Sequence, residues 1–242
     1  MVGVSVIIPA YNEERRIGKT LQEIIQYLDR KGFQYEIIVV DDGSRDDTRN
    51  AVARAGNEKT RMLQNGANKG KGYSVRKGIM DARQDLVLFS DSDLATPIEE
   101  FEKLLEQTDK GYDIAIASRN LKESKIAVSQ PFYRQIMGKT FPFIVKAILG
   151  LRIRDTQCGF KLFKAEAAKR IAQLQAIDRF AFDAEMLFLA KRLGYKICEV
   201  PVAWMDKKGS KVSPIKDGFL MLKDIIKVRA NQMKGEYDEN KP

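Results

Sequence analysis

The stretch LVLFSDSDLATP, residues 86–97, decides how the chain reads. Its apolar run from Leu86 to Phe89 has the composition of a buried strand. It empties into Asp91, Ser92 and Asp93 before Pro97 opens a helical pattern. Carboxylates one residue apart at a strand's C-terminal end can both reach a hard divalent cation such as Mg2+ or Mn2+. In an open α/β sheet that edge is where ligands bind. The competing reading makes Asp91 a cap for the following helix and leaves Asp93 solvated.

Upstream of this stretch the same pattern recurs. Val4 to Pro9 is a β-branched apolar run suited to a central parallel strand. Asn12 is positioned to cap a helix carrying Ile17, Leu21, Ile25 and Leu28, which Gly32 closes. Tyr35 to Val40 is a second buried strand, again ending in carboxylates, Asp41 and Asp42. A helix over 47–54, a short strand near 61–64 and a helix over 73–83 follow. The intervening loop NGANKGKG (65–72) suits either close approach to a phosphate or an ordinary surface loop. Beyond residue 97 come a helix with Ile98, Phe101, Leu104 and Leu105, and a strand over 113–117 ending in Ser118 and Arg119. The alternation predicts a single α/β domain with a mainly parallel central sheet flanked by helices. Residues 1–119 form its nucleotide-binding half.

From Asn120 the alternation breaks down, and residues 120–232 are expected to form a less regular, membrane-facing half. Residues 131–151 mix aromatic and aliphatic side chains with Arg134, Lys139 and Lys146, a pattern that suits a membrane surface or an ordinary core helix. DTQCGFK (155–161) is a polar turn leading to a short apolar run, and a helix starts at Ala165. A further helix over 182–193 opens with Asp183 and Glu185. One strand is expected over 195–204 and a basic loop, KKGSK, over 207–211. The last helix, about 216–232, sets Phe219, Leu222 and Ile226 on one stripe, which either docks on the sheet or lies on lipid. Residues 233–242 are expected to be a disordered tail.

Composition narrows the chemistry. The 242 residues carry a formal charge of +9, which favours an anionic partner, but the basic residues are spread along the chain with no RNP-type or zinc-ligand spacing, so nucleic acid is not expected. There is no histidine, which removes the commonest general base, the usual triads and most catalytic zinc sites. Cys158 and Cys198 are isolated thiols suited to a reducing compartment. No apolar run approaches the ~18 residues of a membrane span, so a soluble or peripheral protein is expected.

VSVIIPAYNEE at the N-terminus, VVDDGSRDDT some thirty residues on, and the Asp91-Ser92-Asp93 triplet after its strand together resemble the family 2 glycosyltransferases of GT-A fold. Ser118-Arg119, PFYRQ with Arg134, DTQCGFK, FDAE and GSK resemble the branch that transfers a sugar to a polyprenyl phosphate, the dolichyl-phosphate glucosyl- and mannosyltransferases. The resemblance implies that Pro9, Tyr11 and Glu13 line the nucleobase and ribose pocket, with Asp42 also on the nucleoside. It further implies that Asp91 and Asp93 hold Mg2+ or Mn2+ on the donor diphosphate, with Ser92 against the nucleotide. Arg119 and Arg134 would neutralise phosphate charge, and Lys211 would close over the diphosphate. Asp183 and Gln157 fall in the acceptor or base region. Ala95 and Gly138 stand where mannose-transferring relatives have Gln and Ser, whereas QCGFK leans toward the glucosyl branch. The implied donor is therefore UDP-glucose, with GDP-mannose as the alternative. The implied acceptor is a polyprenyl phosphate met at a membrane surface, by a cytoplasmic enzyme peripheral on the cytosolic face. A phosphate acceptor is already an anionic nucleophile and needs no base. A hydroxyl acceptor would need one from Asp183 or Glu185. The remaining alternatives are a sugar-nucleotide pyrophosphorylase, whose glycine-rich N-terminal loop is not found, and a non-catalytic membrane-surface module.

Overall fold

The computed structural model describes residues 2–128, 143–205, 207 and 214–238. Strand β1 (Val4–Ala10) is buried along its whole length, and so is β2 (Tyr35–Asp41). Between them runs α1 (Ile17–Arg30). Next come α2 (Thr48–Ala55), β3 (Thr60–Gln64), α3 (Lys71–Asp81) and β4 (Leu86–Ser90), then a 3-10 turn (Ile98–Glu100) leading into α4 (Phe101–Asp109), and β5 (Ile114–Ser118). The second half holds β6 (Lys125–Val128), α5 (helical residues 143–149), β7 (Phe160–Lys164), α6 (Ala165–Leu174), α7 (Phe182–Arg192), β8 (Ile197–Pro201), β9 (Ala203–Met205) and α8 (Pro214–Met233).

Among the described residues the main sheet has the order β3-β2-β1-β4-β7-β5-β8, and β6 pairs with β9 in a small second sheet. All pairings in the main sheet are parallel except those of β7, which runs antiparallel between β4 and β5. The α/β expectation therefore holds. Its addition is this reversed strand, reached after the long excursion from β5. Strand alternation sends Ile7, Ile38, Val40, Val87 and Phe89 into the core on one face. Val6, Ile8, Ile37, Val39 and Leu88 enter the core on the other.

One detail of register places the site. The β1–β2 ladder runs on to Ala10 and Asp41, but the β1–β4 ladder stops at Ile7 and Phe89, before Pro9, which has no N–H to extend it. Strands β1 and β4 therefore part at their C-terminal ends, where the chain leaves β1 toward β2 and β4 lies on the opposite side. Such a switch point leaves a crevice.

Several local expectations need correction. Asn12 does not cap α1: its backbone adopts φ 51°, and its side-chain oxygen accepts the Arg45 N–H at 2.8 Å. The Asn12 N–H donates to Ser44 Oγ at 2.9 Å, so the β1–α1 loop is tied to the β2–α2 loop. Residues 195–204 form two strands in different sheets, not one. The sequence left open whether the α8 stripe docks on the sheet or faces outward; α8 docks through Ile225 and Val228, and Phe219 and Ile226 of the stripe are 71% and 54% exposed. Residues 233–238, expected in a disordered tail, instead pack against the domain. Tyr237 is buried, and its hydroxyl donates to Glu185 Oε1 at 2.6 Å. No described helix is long and apolar enough to cross a membrane.

Candidate active site

The crevice is a cavity of about 370 Å³. One wall is the end of β1 with Pro9, Tyr11 and Glu13, and Asp42 stands at the end of β2. The turn Asp91-Ser92-Asp93 leaves β4, and the loop Asn68–Lys71, Arg16, Ser74, Arg179 and Phe180 also line the cavity. Pro9, Tyr11, Glu13, Asp42, Asp91, Ser92 and Asp93 all line this one cavity.

Asp91 is not a helix cap, because helical structure resumes only at Ile98, and its side chain lines the cavity. Its N–H donates to Gly159 O at 3.0 Å, which fixes the turn on β7. A Cβ at Gly159 would lie 2.0 Å from Asp91 Oδ2, so the glycine of QCGFK is what leaves room for this carboxylate. The Ser92 carbonyl accepts the Thr20 hydroxyl at 2.7 Å, and Asp93 Oδ1 accepts the Ala95 N–H at 3.1 Å. Burial pushes the Asp93 carboxyl above its ordinary range, and the Asp91 charge pushes it further.

Two cations that sequence reasoning left out of the site face these carboxylates. Lys71 Nζ lies 2.6 Å from Asp91 Oδ1, and Arg16 Nη1 lies 4.0 Å from Asp93 Oδ2 while the same guanidinium forks onto Glu13 at 2.7–2.8 Å. Burial works against the Lys71 charge, but Asp91 and Asp183 outweigh it and hold the ammonium above the ordinary lysine range. Arg16 could have been suspected from its i,i+3 spacing to Glu13. Lys71 could have been suspected from its place between two glycines of the phosphate-suited loop.

Asp42 also holds a neighbouring loop in place. Its carboxylate accepts the N–H groups of Lys69 and Gly70, each at 2.9 Å, and the Asn65 amide at 2.8 Å, and so shapes the loop that carries Lys71. Gly70 has φ 109°, and a Cβ there would meet Asp178 O at 2.3 Å. The loop therefore seats on residues 178–179 through glycine contacts that no side chain permits.

Arg119 does not line this cavity. It forks onto Asp155 at 2.7 and 2.8 Å and lies over the Trp204 ring at 5.4 Å. Burial disfavours its charge, but Asp155 more than compensates and raises its pKa, while Asp155 is held below the usual carboxylate range. Around this pair Ser118 Oγ, Thr156 Oγ1 and Gln157 Nε2 are buried with no hydrogen-bond partner among the described residues. Asp183 is buried and paired with Lys161, which also donates to Cys158 O at 2.6 Å. Burial raises the Asp183 pKa, and Lys161 partly offsets this. Glu185 is committed to structure: it accepts the N–H groups of Ala176 and Ile177 and the Tyr237 hydroxyl. Arg134, Gly138 and Lys211 lie outside the described residues, as does most of the basic segment 131–151.

The donor set fits a hard divalent cation. Asp91 and Asp93 offer carboxylate oxygens on one wall, and a side-chain cation already sits against each. Among the described residues no group of three or more His, Cys, Asp or Glu could hold a metal. A cation here would be completed by phosphate oxygens and water, as is usual for Mg2+.

A family model described as glycosyl transferase family 2 matches residues 5–172. The chain is 38% identical over 248 residues to a dolichyl-phosphate beta-glucosyltransferase of Dictyostelium discoideum, covering 96% of this chain and 75% of that protein. To the enzyme of the same name from Homo sapiens it is 35% identical, covering 97% and 77%. The fold is similar to that of mannosyl-3-phosphoglycerate synthase from Rubrobacter xylanophilus, with TM-score 0.72 and 16% identity over 100% of this chain and 77% of that one. It is also similar to glucosyl-3-phosphoglycerate synthase from Mycobacterium tuberculosis in complex with Mn2+ and UDP-glucose, with TM-score 0.65 and 21% identity over 94% and 77%. The chain belongs to glycosyl transferase family 2 and adopts the GT-A fold of its structural neighbours.

Proposed function

We propose that the chain transfers glucose from UDP-glucose to a dolichyl-type polyprenyl phosphate, with inversion at the anomeric carbon, using Mg2+ or Mn2+ held by Asp91 and Asp93. The observation that carries this reading is the meeting of the Asp91-Ser92-Asp93 turn, Lys71 and the ends of β1 and β2 around one cavity. The chain's likeness to named dolichyl-phosphate beta-glucosyltransferases over nearly its whole length supports the donor sugar and the acceptor.

The nucleoside would lie against Pro9, Tyr11, Glu13 and Asp42, with its diphosphate toward Ser92, Lys71 and the Asp91–Asp93 pair. When bound, the metal supplies Lewis-acid stabilisation of the departing diphosphate. Lys71 adds an ammonium aimed at the same charge, and the loop from Asn68 to Lys71 excludes water from one side. An acceptor phosphate oxygen forms the new bond to the anomeric carbon as the bond to the UDP oxygen breaks. No proton moves, so a chain without histidine needs no base. The burial of Asp183 against Lys161 and the commitment of Glu185 to backbone donors argue against a hydroxyl acceptor. We assign the acceptor phosphate to the side of Arg119, where Ser118, Thr156 and Gln157 hold unpartnered polar atoms. Arg134 and Lys211 are proposed to join the phosphates from segments outside the described residues.

The enzyme would meet its lipid from the cytosolic face as a peripheral protein. Phe219, Ile226 and Met233 are exposed on α8, with Lys223, Lys227 and Lys234 exposed beside them, and Phe143 is exposed on α5. The test is to incubate the full chain with Mn2+, a short polyprenyl phosphate and, separately, UDP-glucose, GDP-mannose and UDP-N-acetylglucosamine, and to read products by mass. A lipid-linked hexose from UDP-glucose, absent with Asp91→Ala, is expected. Product from GDP-mannose alone would overturn the donor. Product only on hydroxyl acceptors would overturn the acceptor.

A further inference from the structure

Each carboxylate of the proposed metal pair is already faced by a cation of the chain, and the two cations are held differently. Arg16 stands 4.0 Å from Asp93 and has Glu13 as its main partner. Lys71 stands 2.6 Å from Asp91, in contact with an oxygen that the donor's cation would need. Its backbone is packed closely against residues 177–179. Gly70 and Gly72 flank it, and a Cβ at either would come within 2.3 Å of Asp178 O or 2.6 Å of Ile177 O. The ammonium also lies over the rings of Phe89, at 5.3 Å, and Phe182, at 6.0 Å, and the flexible four-carbon stem of a lysine is what would carry it to a new partner.

A divalent cation arriving alone must displace this ammonium from Asp91 and then tolerate it nearby, a like-charge contact in a partly desolvated cavity. A nucleoside diphosphate changes the balance because its oxygens offer the ammonium a new partner in the same cavity. We propose that Lys71 is a tethered counter-cation of Asp91 that makes loading of the divalent metal depend on the nucleoside diphosphate. This rests on the donor-site reading above and extends it to the order in which the site fills. By linkage the effect is reciprocal: whatever factor the diphosphate adds to metal affinity, the metal adds to diphosphate affinity.

The experiment is a Mn2+ titration of the full chain followed by the electron paramagnetic resonance signal of free Mn2+, with and without saturating UDP. Wild type, Lys71→Met and Lys71→Arg are compared. In the absence of UDP, Lys71→Met is expected to bind Mn2+ at least about tenfold more tightly than wild type, the scale of removing one nearby cation from a partly screened site. Lys71→Arg, which keeps the charge, is expected to remain within about threefold of wild type under the same electrostatic argument. The gain in Mn2+ affinity on adding UDP is expected to shrink in Lys71→Met. If Lys71→Met does not fold, as judged by its thermal transition, Lys71→Gln makes the same comparison. Equal Mn2+ uptake by wild type and the neutral variant without UDP overturns the inference and leaves the donor site standing. Failure of wild type to take up Mn2+ even with UDP overturns the donor-site reading and this inference with it.

Discussion

The Gly159→Ala substitution isolates the geometry of Asp91 from the rest of the fold. Gly159 is not among the residues with positive φ, so alanine meets no backbone strain there. The added Cβ, however, would lie 2.0 Å from Asp91 Oδ2, 2.3 Å from Cγ and 2.6 Å from Oδ1. Relief requires the carboxylate to move by more than about 1 Å, and a misplacement of that size at a reacting centre costs about a hundredfold in rate, or about 2.7 kcal/mol of barrier. Stability should change little, by less than about 1.5 kcal/mol, because Asp91 can turn into the cavity. The assay is kcat/KM for transfer from UDP-glucose to a short polyprenyl phosphate, run as a cycle with Asp91→Ala. A loss near a hundredfold in the single variant, and no further loss when it is combined with Asp91→Ala, is expected. Activity within threefold of wild type, or losses that multiply in the double variant, would refute the argument that Gly159 acts by making room for Asp91.

Tyr237→Phe removes a buried hydroxyl donor to Glu185 and should lower the unfolding free energy in urea by about 1.5–3 kcal/mol; an unchanged midpoint would mean the C-terminal segment does not dock. The pair Phe219→Glu and Ile226→Glu should abolish sedimentation with anionic vesicles while shifting stability by no more than about 0.5 kcal/mol each, since both side chains face outward. Retained vesicle binding would exclude α8 as the contact. Glu36 is a pH probe. Burial opposes its ionisation, but Arg61, Ser5 and the Arg83 N–H outweigh this and lower its pKa from the usual 4.5. Its ionised form therefore adds stability that is complete above that value and is lost as pH falls below it. Glu36→Gln should accordingly be less stable at pH 7 and lose less than wild type on acidification toward pH 3, read from urea midpoints.

The first strands of the sheet were legible because buried parallel strands announce themselves as short β-branched runs, and their carboxylate-bearing ends recur at 41–42 and 91–93. What the sequence could not show is pairing across long separations. Lys71 and Asp91 are adjacent only because α3 returns over β1. Asp155 reaches Arg119 only because the chain comes back to the sheet at β7. The reversed β7 carries no periodicity that distinguishes it from a parallel strand. Periodicity placed Phe219 and Ile226 on one face of α8 but could not say which face docks, and Ile225 and Val228 do. Asn12 misled because a side chain suited to capping a helix is equally suited to binding a neighbouring loop. Tyr237 was hidden in a polar tail, where one aromatic side chain anchors what composition alone reads as disorder.

Asp91 and Asp93 are proposed to join a divalent cation to a nucleoside diphosphate in the crevice between β1 and β4. Calorimetric titration of UDP into the full chain, with Mn2+ and with chelator, tests it most directly when Asp91→Ala is run beside wild type. UDP binding that requires Mn2+ in wild type and is lost in Asp91→Ala is the expected result. UDP binding of equal strength in both proteins, or binding indifferent to Mn2+, would contradict it.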